Sequence, residues 1–75
     1  MTFKNWSKPF YGVQHLTVPE PYQITVEDHG TFAHLFVINL HNRPFTRPLI
    51  ERDFDTAQEA RAHGERWMTN NFLGI

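Results

Sequence analysis

The sequence predicts an α+β domain in which an antiparallel sheet of three or four strands packs against one C-terminal helix. Two observations lead to this fold class. Residues 22–27 alternate apolar and polar side chains, and the turn residues Asp28-His29-Gly30 separate them from a second β-rich run at 31–40. Residues 55–70 begin with a helix-capping pattern and then repeat small and apolar residues at helical spacing.

The composition limits the chain to a single small domain over residues 1–75, because 75 residues can bury only one core. The net charge is -1, and cysteine is absent, which excludes disulfides, thiolate metal sites and a cysteine nucleophile. No run of about 18 apolar residues occurs, and the start lacks the apolar segment of a signal peptide. We therefore expect no membrane insertion and a cytoplasmic location.

Residues 1–21 form an aromatic N-terminal arm. Its three prolines prevent a regular helix. Residues 14–18 alternate in the manner of a short strand. The aromatic side chains of the arm are Phe3, Trp6, Phe10 and Tyr11.

Residues 22–52 are expected to contain three strands. The first, 22–27, is half-buried, and 31–40 is apolar on both faces, which is typical of a central strand covered on both sides. One helix covers only one face, so the arm, a second copy of the chain or a partner must cover the other. The third strand is predicted at 46–52, where Pro48 favours a sheet edge.

The helix is predicted over residues 55–70. Thr56 and Glu59 match the capping box, and Asp55 suits the positive end of the helix dipole. The small residues Ala60 and Gly64 would let the helix approach the sheet closely.

Catalytic constellations are weak in this sequence. The five histidines lack metal-ligand spacing, and no nucleophile or phosphate-loop motif is present. Glu51, Asp53 and Asp55 alternate after the third strand, but an acid–base pair also needs a pocket. We therefore expect no enzyme activity, no cofactor and no metal.

Two binding surfaces are candidates. In the first, Trp6, Phe10 and Tyr11 anchor a protein partner. An acidic patch complements a basic surface on that partner, formed by Glu51, Asp53 and Asp55. In the alternative, arginines on or beside the third strand contact nucleic acid, namely Arg43, Arg47 and Arg52. Self-association as a homodimer is a further expectation for so small a domain.

The stretch Phe54-Asp55-Thr56-Ala57-Gln58-Glu59-Ala60-Arg61-Ala62 resembles the F-D-T-x-E-E-A-A signature that opens the helix of AP2-type plant DNA-binding domains. Phage integrase arm-binding domains look similar. The resemblance implies a three-stranded sheet packed on one helix, and DNA binding through the sheet. The motif covers residues 54–62 only.

The chain also resembles, as a class, small phage-encoded inhibitors such as anti-CRISPR proteins. The resemblance rests on size, slightly acidic charge and the absence of catalytic motifs, together with the stretch Arg52-Asp53-Phe54-Asp55 entering a helix that carries Trp67. It implies a non-catalytic inhibitor of a host protein or protein–nucleic-acid complex. Such an inhibitor acts by steric blockade or by mimicry of nucleic acid.

Overall fold

The computed structural model describes residues 3–40 and 49–72, and it shows a four-stranded antiparallel sheet packed against one C-terminal helix. The predicted α+β fold class is therefore confirmed. The strands follow one another in the sheet in the order β1-β2-β3-β4. Their bounds are β1 Val13–Leu16, β2 Tyr22–Asp28, β3 Ala33–Asn39 and β4 Ile50–Phe54, and the helix α1 is Ala57–Phe72.

The core lies between α1 and one face of the sheet. Strand residues that alternate along the chain point to this face, as the period of two requires. Gly64 and Trp67 lie on the side of α1 that faces the sheet, and the Trp67 ring meets Tyr22 edge-on at 5.7 Å between centroids. The largest fully buried side chains are Ile24, Val26, Leu35, Val37 and Met68.

Gly64 sets how closely α1 approaches the sheet. A Cβ atom there would lie 3.1 Å from Cγ2 of Ile24 and 3.2 Å from Cδ1 of Leu35, tighter than ordinary contact. Glycine in a helix interior costs about 1 kcal/mol relative to alanine. Close packing against two buried strand residues explains why glycine is retained here, as the small-residue face predicted.

The helix begins as its capping pattern predicts. The Glu59 backbone N–H donates to Oγ1 of Thr56 at 3.1 Å, and the Thr56 hydroxyl donates to Oε1 of Glu59 at 3.3 Å. The first bond satisfies one of the free N–H groups of the first turn. The Glu59 carboxylate thus bonds to the Thr56 side chain, where the predicted capping box would have it reach the Thr56 backbone N–H.

The part of the aromatic arm that precedes β1 pairs with the edge of β1. Phe10 and Val13 exchange both backbone hydrogen bonds at 3.0 Å, so Tyr11-Gly12 forms a two-residue turn. The φ angles of 52° at Tyr11 and 78° at Gly12 are those of a type I′ hairpin turn. Further along, Trp6 bridges Leu16.

The arm does not cover the helix-free side of the sheet. Since Trp6 is bridged to the buried Leu16, it shares the face of the sheet that meets α1. Phe3 is buried in the same core. The sequence-based suggestion that the arm covers the second face is therefore wrong, because Phe3 and Trp6 complete the helix-side core and Phe10 and Tyr11 remain exposed.

Strand β4 lies further along the chain than predicted. The expected strand at 46–52 is observed as Ile50–Phe54, and residues 46–48, with Pro48, lie outside the described residues. The pairing of Ala33 with Phe54 and of Val37 with Ile50 explains the difference. Both pairs bring an apolar side chain to the helix side, and a strand ending at Arg52 would leave out Phe54.

Candidate functional site

The face of the sheet that points away from α1 is called the open face here. It consists of the strand residues that alternate with the buried ones, and cross-strand pairing keeps them together. None of these strand residues is lysine or arginine, whereas three are carboxylates. They are Val13, His15, Gln23, Thr25, Glu27, His34, Phe36, Ile38, Glu51 and Asp53.

One row of side chains crosses the whole open face. Phe10 pairs with Val13, Val13 with Glu27, Glu27 with His34, and His34 with Asp53. Directly paired residues lie on the same face with Cβ atoms about 4.5–5.5 Å apart. The row therefore runs from an exposed aromatic ring at the arm to a carboxylate at β4.

His34 occupies the centre of the acidic end. Its Nδ1 atom contacts Oδ1 of Asp53, and its Nε2 atom lies 3.6 Å from Oε2 of Glu51. The imidazole also packs against the Phe36 ring at 4.3 Å between centroids. Two carboxylates thus hold one imidazole in a position where only 20% of its side chain is exposed, while they remain more than half exposed.

The environment of His34 favours its protonated form. Partial burial by itself lowers the pKa, but the hydrogen bonds and negative charges of Asp53 and Glu51 outweigh it. The pKa of His34 is therefore raised above its usual value of 6.5. The open face thus carries a histidine whose protonated form is stabilised by two neighbouring carboxylates.

The Tyr11-Gly12 turn projects two aromatic rings into solvent. Phe10 is 73% exposed and Tyr11 is 91% exposed, and their rings meet edge-on at 4.6 Å. A non-glycine residue at positive φ costs about 1 kcal/mol or more. Tyr11 accepts this conformation without burying its side chain, so the ring contributes little to the core.

Trp6 is placed differently from the other two predicted anchors. It is half-buried against the core, and its Nε1–H donates to Oε2 of Glu65 at 2.7 Å. Phe10 and Tyr11 remain accessible. The structure therefore separates the three aromatic residues into one that fastens the arm and two that face solvent.

The predicted acidic set is also divided. Glu51 and Asp53 share the open face, whereas Asp55 lies in the turn after β4 and is exposed there. Glu27 joins the first two through its pairing with His34. Alternation along β4 identified two carboxylates of the open face, Glu51 and Asp53, but the third, Glu27, comes from β2.

Of the predicted arginine set, the structure describes Arg52, which does not lie on the open face. Arg52 pairs with Leu35 and so lies on the helix side, where its guanidinium sits 5.2 Å from the Phe54 ring centroid. Arg43 and Arg47 lie outside the described residues.

His34 and Glu27 were not among the predicted site residues. The signal for His34 was its position two residues before Phe36, which places both side chains on the same face of β3. Its two carboxylate partners, however, depend on the register between β3 and β4, which short-range patterns do not encode.

Two cavities of the described residues, of about 400 and 310 Å³, lie away from the open face and border Phe3 and Lys4. Neither is lined by a carboxylate of the open face. The cluster of His34, Glu51 and Asp53, called the His34 cluster here, is a surface feature, since both carboxylates are more than half exposed. It therefore suits contact with a large partner better than enclosure of a small substrate.

Within residues 3–40 and 49–72, no group of three or more histidine or carboxylate side chains is arranged to hold a metal ion. Over the same residues, no helix is long and apolar enough to cross a membrane. No protein-family model matches this chain, and comparisons with curated proteins and with solved structures found no match.

Proposed function

We propose that this chain is a small non-catalytic protein-binding module. The single observation that carries the proposal is the exposed aromatic pair of Phe10 and Tyr11 at a type I′ hairpin turn. Tyrosine is enriched among residues that dominate binding energies at protein interfaces, and a preformed turn reduces the entropy lost on binding. A pair that contributes little to the core is available for this role.

The acidic residues of the open face supply the second part of the interface. Glu51 and Asp53 lie in the same sheet face as Phe10, at the opposite end of the row. An aromatic anchor beside a negatively charged surface suits a partner with an apolar pocket next to basic residues. Proteins that bind nucleic acid present such basic surfaces.

In its specific form, the proposal is that the chain inhibits a host protein complex, as the class resemblance to phage-encoded inhibitors implies. Binding over a basic surface would block nucleic acid from it. The charge of the open face supports this reading over the alternative in which the sheet binds DNA. AP2-type sheets present cationic side chains to DNA, whereas the corresponding strands here present Glu27, Glu51 and Asp53.

The proposal is tested by capture from lysate of a candidate host with the immobilised full chain, at low and high salt, with and without nuclease. The double variant Phe10→Ser/Tyr11→Asn should weaken retention of a defined protein by about 30-fold or more, the size expected for an interface hot spot. Leu49→Ser is the matched control, since Leu49 is also an exposed apolar residue. Each variant is first checked for an unchanged thermal transition.

Two outcomes would overturn the proposal. One is retention that is the same for the double variant and for wild type. The other is capture of nucleic acid that disappears with nuclease and high salt, which would move the interface to the arginines. Retention that resists nuclease and depends on Phe10 and Tyr11 supports the protein-binding role.

A further inference from the structure

We propose that the open face docks against an arginine-rich surface of a protein partner, and that protonation of His34 weakens this docking. The inference rests on the proposed function and specifies its partner and its regulation. It follows from three properties of the face, which are its negative charge, the Phe36 ring beside the carboxylates and the position of His34.

Charge complementarity identifies the occupant. The described strands place Glu27, Glu51 and Asp53 on this face without a lysine or arginine among them. A second copy docked face to face would bring carboxylates against carboxylates, and nucleic acid would be repelled in the same way. A partner that presents several cationic side chains gains from the same arrangement.

The side chains around the carboxylates favour arginine as the contacting cation. Phe36 pairs directly with Glu51, and its half-buried ring lies beside the His34 cluster. A guanidinium group can stack on an aromatic ring while it donates to a carboxylate, which a lysine ammonium does less well. Ring and carboxylate are thus adjacent on neighbouring strands.

His34 is an internal competitor for those carboxylates. When protonated, it pairs with Asp53 and Glu51 and cancels one of the three negative charges of the face. When neutral, it adds no positive charge and can donate to only one of the two carboxylates, so the face keeps its full negative charge for a partner. The contacts around its ring make this competition direct, because no other cation of the described strands faces them.

Titratable groups face His34 from both adjoining strands. From β2, Glu27 faces His34 and itself lies 3.5 Å from Nε2 of His29. From β4, Asp53 lies opposite and Glu51 diagonally. The hydrogen bonds and negative charges of Asp53 and Glu51 outweigh the effect of partial burial and raise the pKa of His34 above its usual value.

The test uses the full chain labelled with ¹⁵N and a synthetic poly-arginine peptide as the probe, between pH 6 and 8.5 at low salt. Amide shifts should move on the open face and not on α1. The association constant should rise with pH, by at most about tenfold per pH unit while one proton is displaced. Side-chain ¹⁵N spectra report the protonation of His34 directly.

Matched variants separate His34 from the other histidines. His34→Gln should remove the pH dependence, whereas His15→Gln on the same face and His29→Gln beside Glu27 should retain it. Glu51→Gln combined with Asp53→Asn should weaken binding at every pH. Thermal transitions confirm that each variant is folded.

The outcomes are distinguishable. An unchanged pH dependence in His34→Gln overturns the role of His34. Shifts confined to α1 or the arm, or no peptide binding at any pH, overturn the docking surface. If capture of a protein still depends on Phe10 and Tyr11 in that case, the proposed function stands while this inference fails. If the open face does not bind the peptide and protein capture does not depend on Phe10 and Tyr11, both proposals fail.

Discussion

The indole Nε1–H of Trp6 donates a hydrogen bond of 2.7 Å to Oε2 of Glu65, which joins the arm to α1. The pair is partly buried, so the bond is shielded from full competition by water. A hydrogen bond to a charged group in such a setting contributes about 1.5–3 kcal/mol. The bond is therefore a polar link between the arm and α1.

Trp6→Phe should lower the free energy of unfolding by about 1.5–3 kcal/mol, because the ring is largely kept while the donor is lost. Urea unfolding followed by circular dichroism measures the change. Glu65→Gln is the control and should cost less, since the amide oxygen still accepts a bond. An equal urea midpoint for Trp6→Phe and wild type would show that the bond contributes nothing.

Gly64→Val should destabilise the protein by about 2 kcal/mol or more, because its side chain would overlap Ile24 and Leu35. Ala62→Val places the same side chain on the exposed part of α1 and should cost only about 0.5 kcal/mol of helix propensity. Thermal or urea unfolding of the pair measures the difference. Similar losses for the two variants would mean that α1 can move away from the sheet at little cost.

Gly12→Ala should be more destabilising than Gly30→Ala. Both glycines have positive φ, so each variant pays the conformational penalty of about 1 kcal/mol. At Gly12 the added Cβ would also lie 2.7 Å from the backbone oxygen of Asp28, whereas at Gly30 it meets open space. The difference in unfolding free energy between the variants isolates that contact. If Gly30→Ala were the more destabilising variant, the close contact between Gly12 and the Asp28 backbone would be contradicted.

The two perturbed histidines should give opposite pH dependences of stability. The pKa of His34 is raised, so its stabilising contribution is complete below its unfolded pKa near 6.5 and is lost as pH rises through the folded pKa. The pKa of His63 is lowered by burial and by the charges of Arg52 and Arg66, so its contribution is present above 6.5 and is lost as pH falls through the folded pKa.

His34→Gln should therefore lose more stability relative to wild type at pH 5.5 than at pH 8.5. His63→Gln should show the reverse trend with pH. Urea unfolding of the three proteins across this range provides the measurement. Parallel curves for all three would show that neither imidazole is coupled to folding.

Local patterns were sufficient for the helix and the central hairpin. The contacts that define them, Thr56 with Glu59 and the strands on either side of Gly30, lie within a few residues of each other, so the sequence carries their signal directly. The start of α1 and its contact with the sheet at Gly64 were predicted for the same reason.

Longer-range relationships were not accessible in this way. The role of Trp6 depends on Glu65, and its residue type alone suggested an exposed anchor. The placement of His34 between Glu51 and Asp53 depends on the register of β4, which is separated from β3 by a long connection. A one-residue shift of that register would put the carboxylates on the helix side.

The strand order β1-β2-β3-β4 has a consequence for how the chain folds. Every sheet neighbour is also a neighbour in sequence, so the sheet can assemble hairpin by hairpin with small losses of loop entropy. The Trp6–Glu65 contact spans 59 residues and must await both the sheet and α1. Removal of that contact should accelerate unfolding while the folding rate stays nearly constant. The arm would then slow the unfolding of a domain that has already assembled.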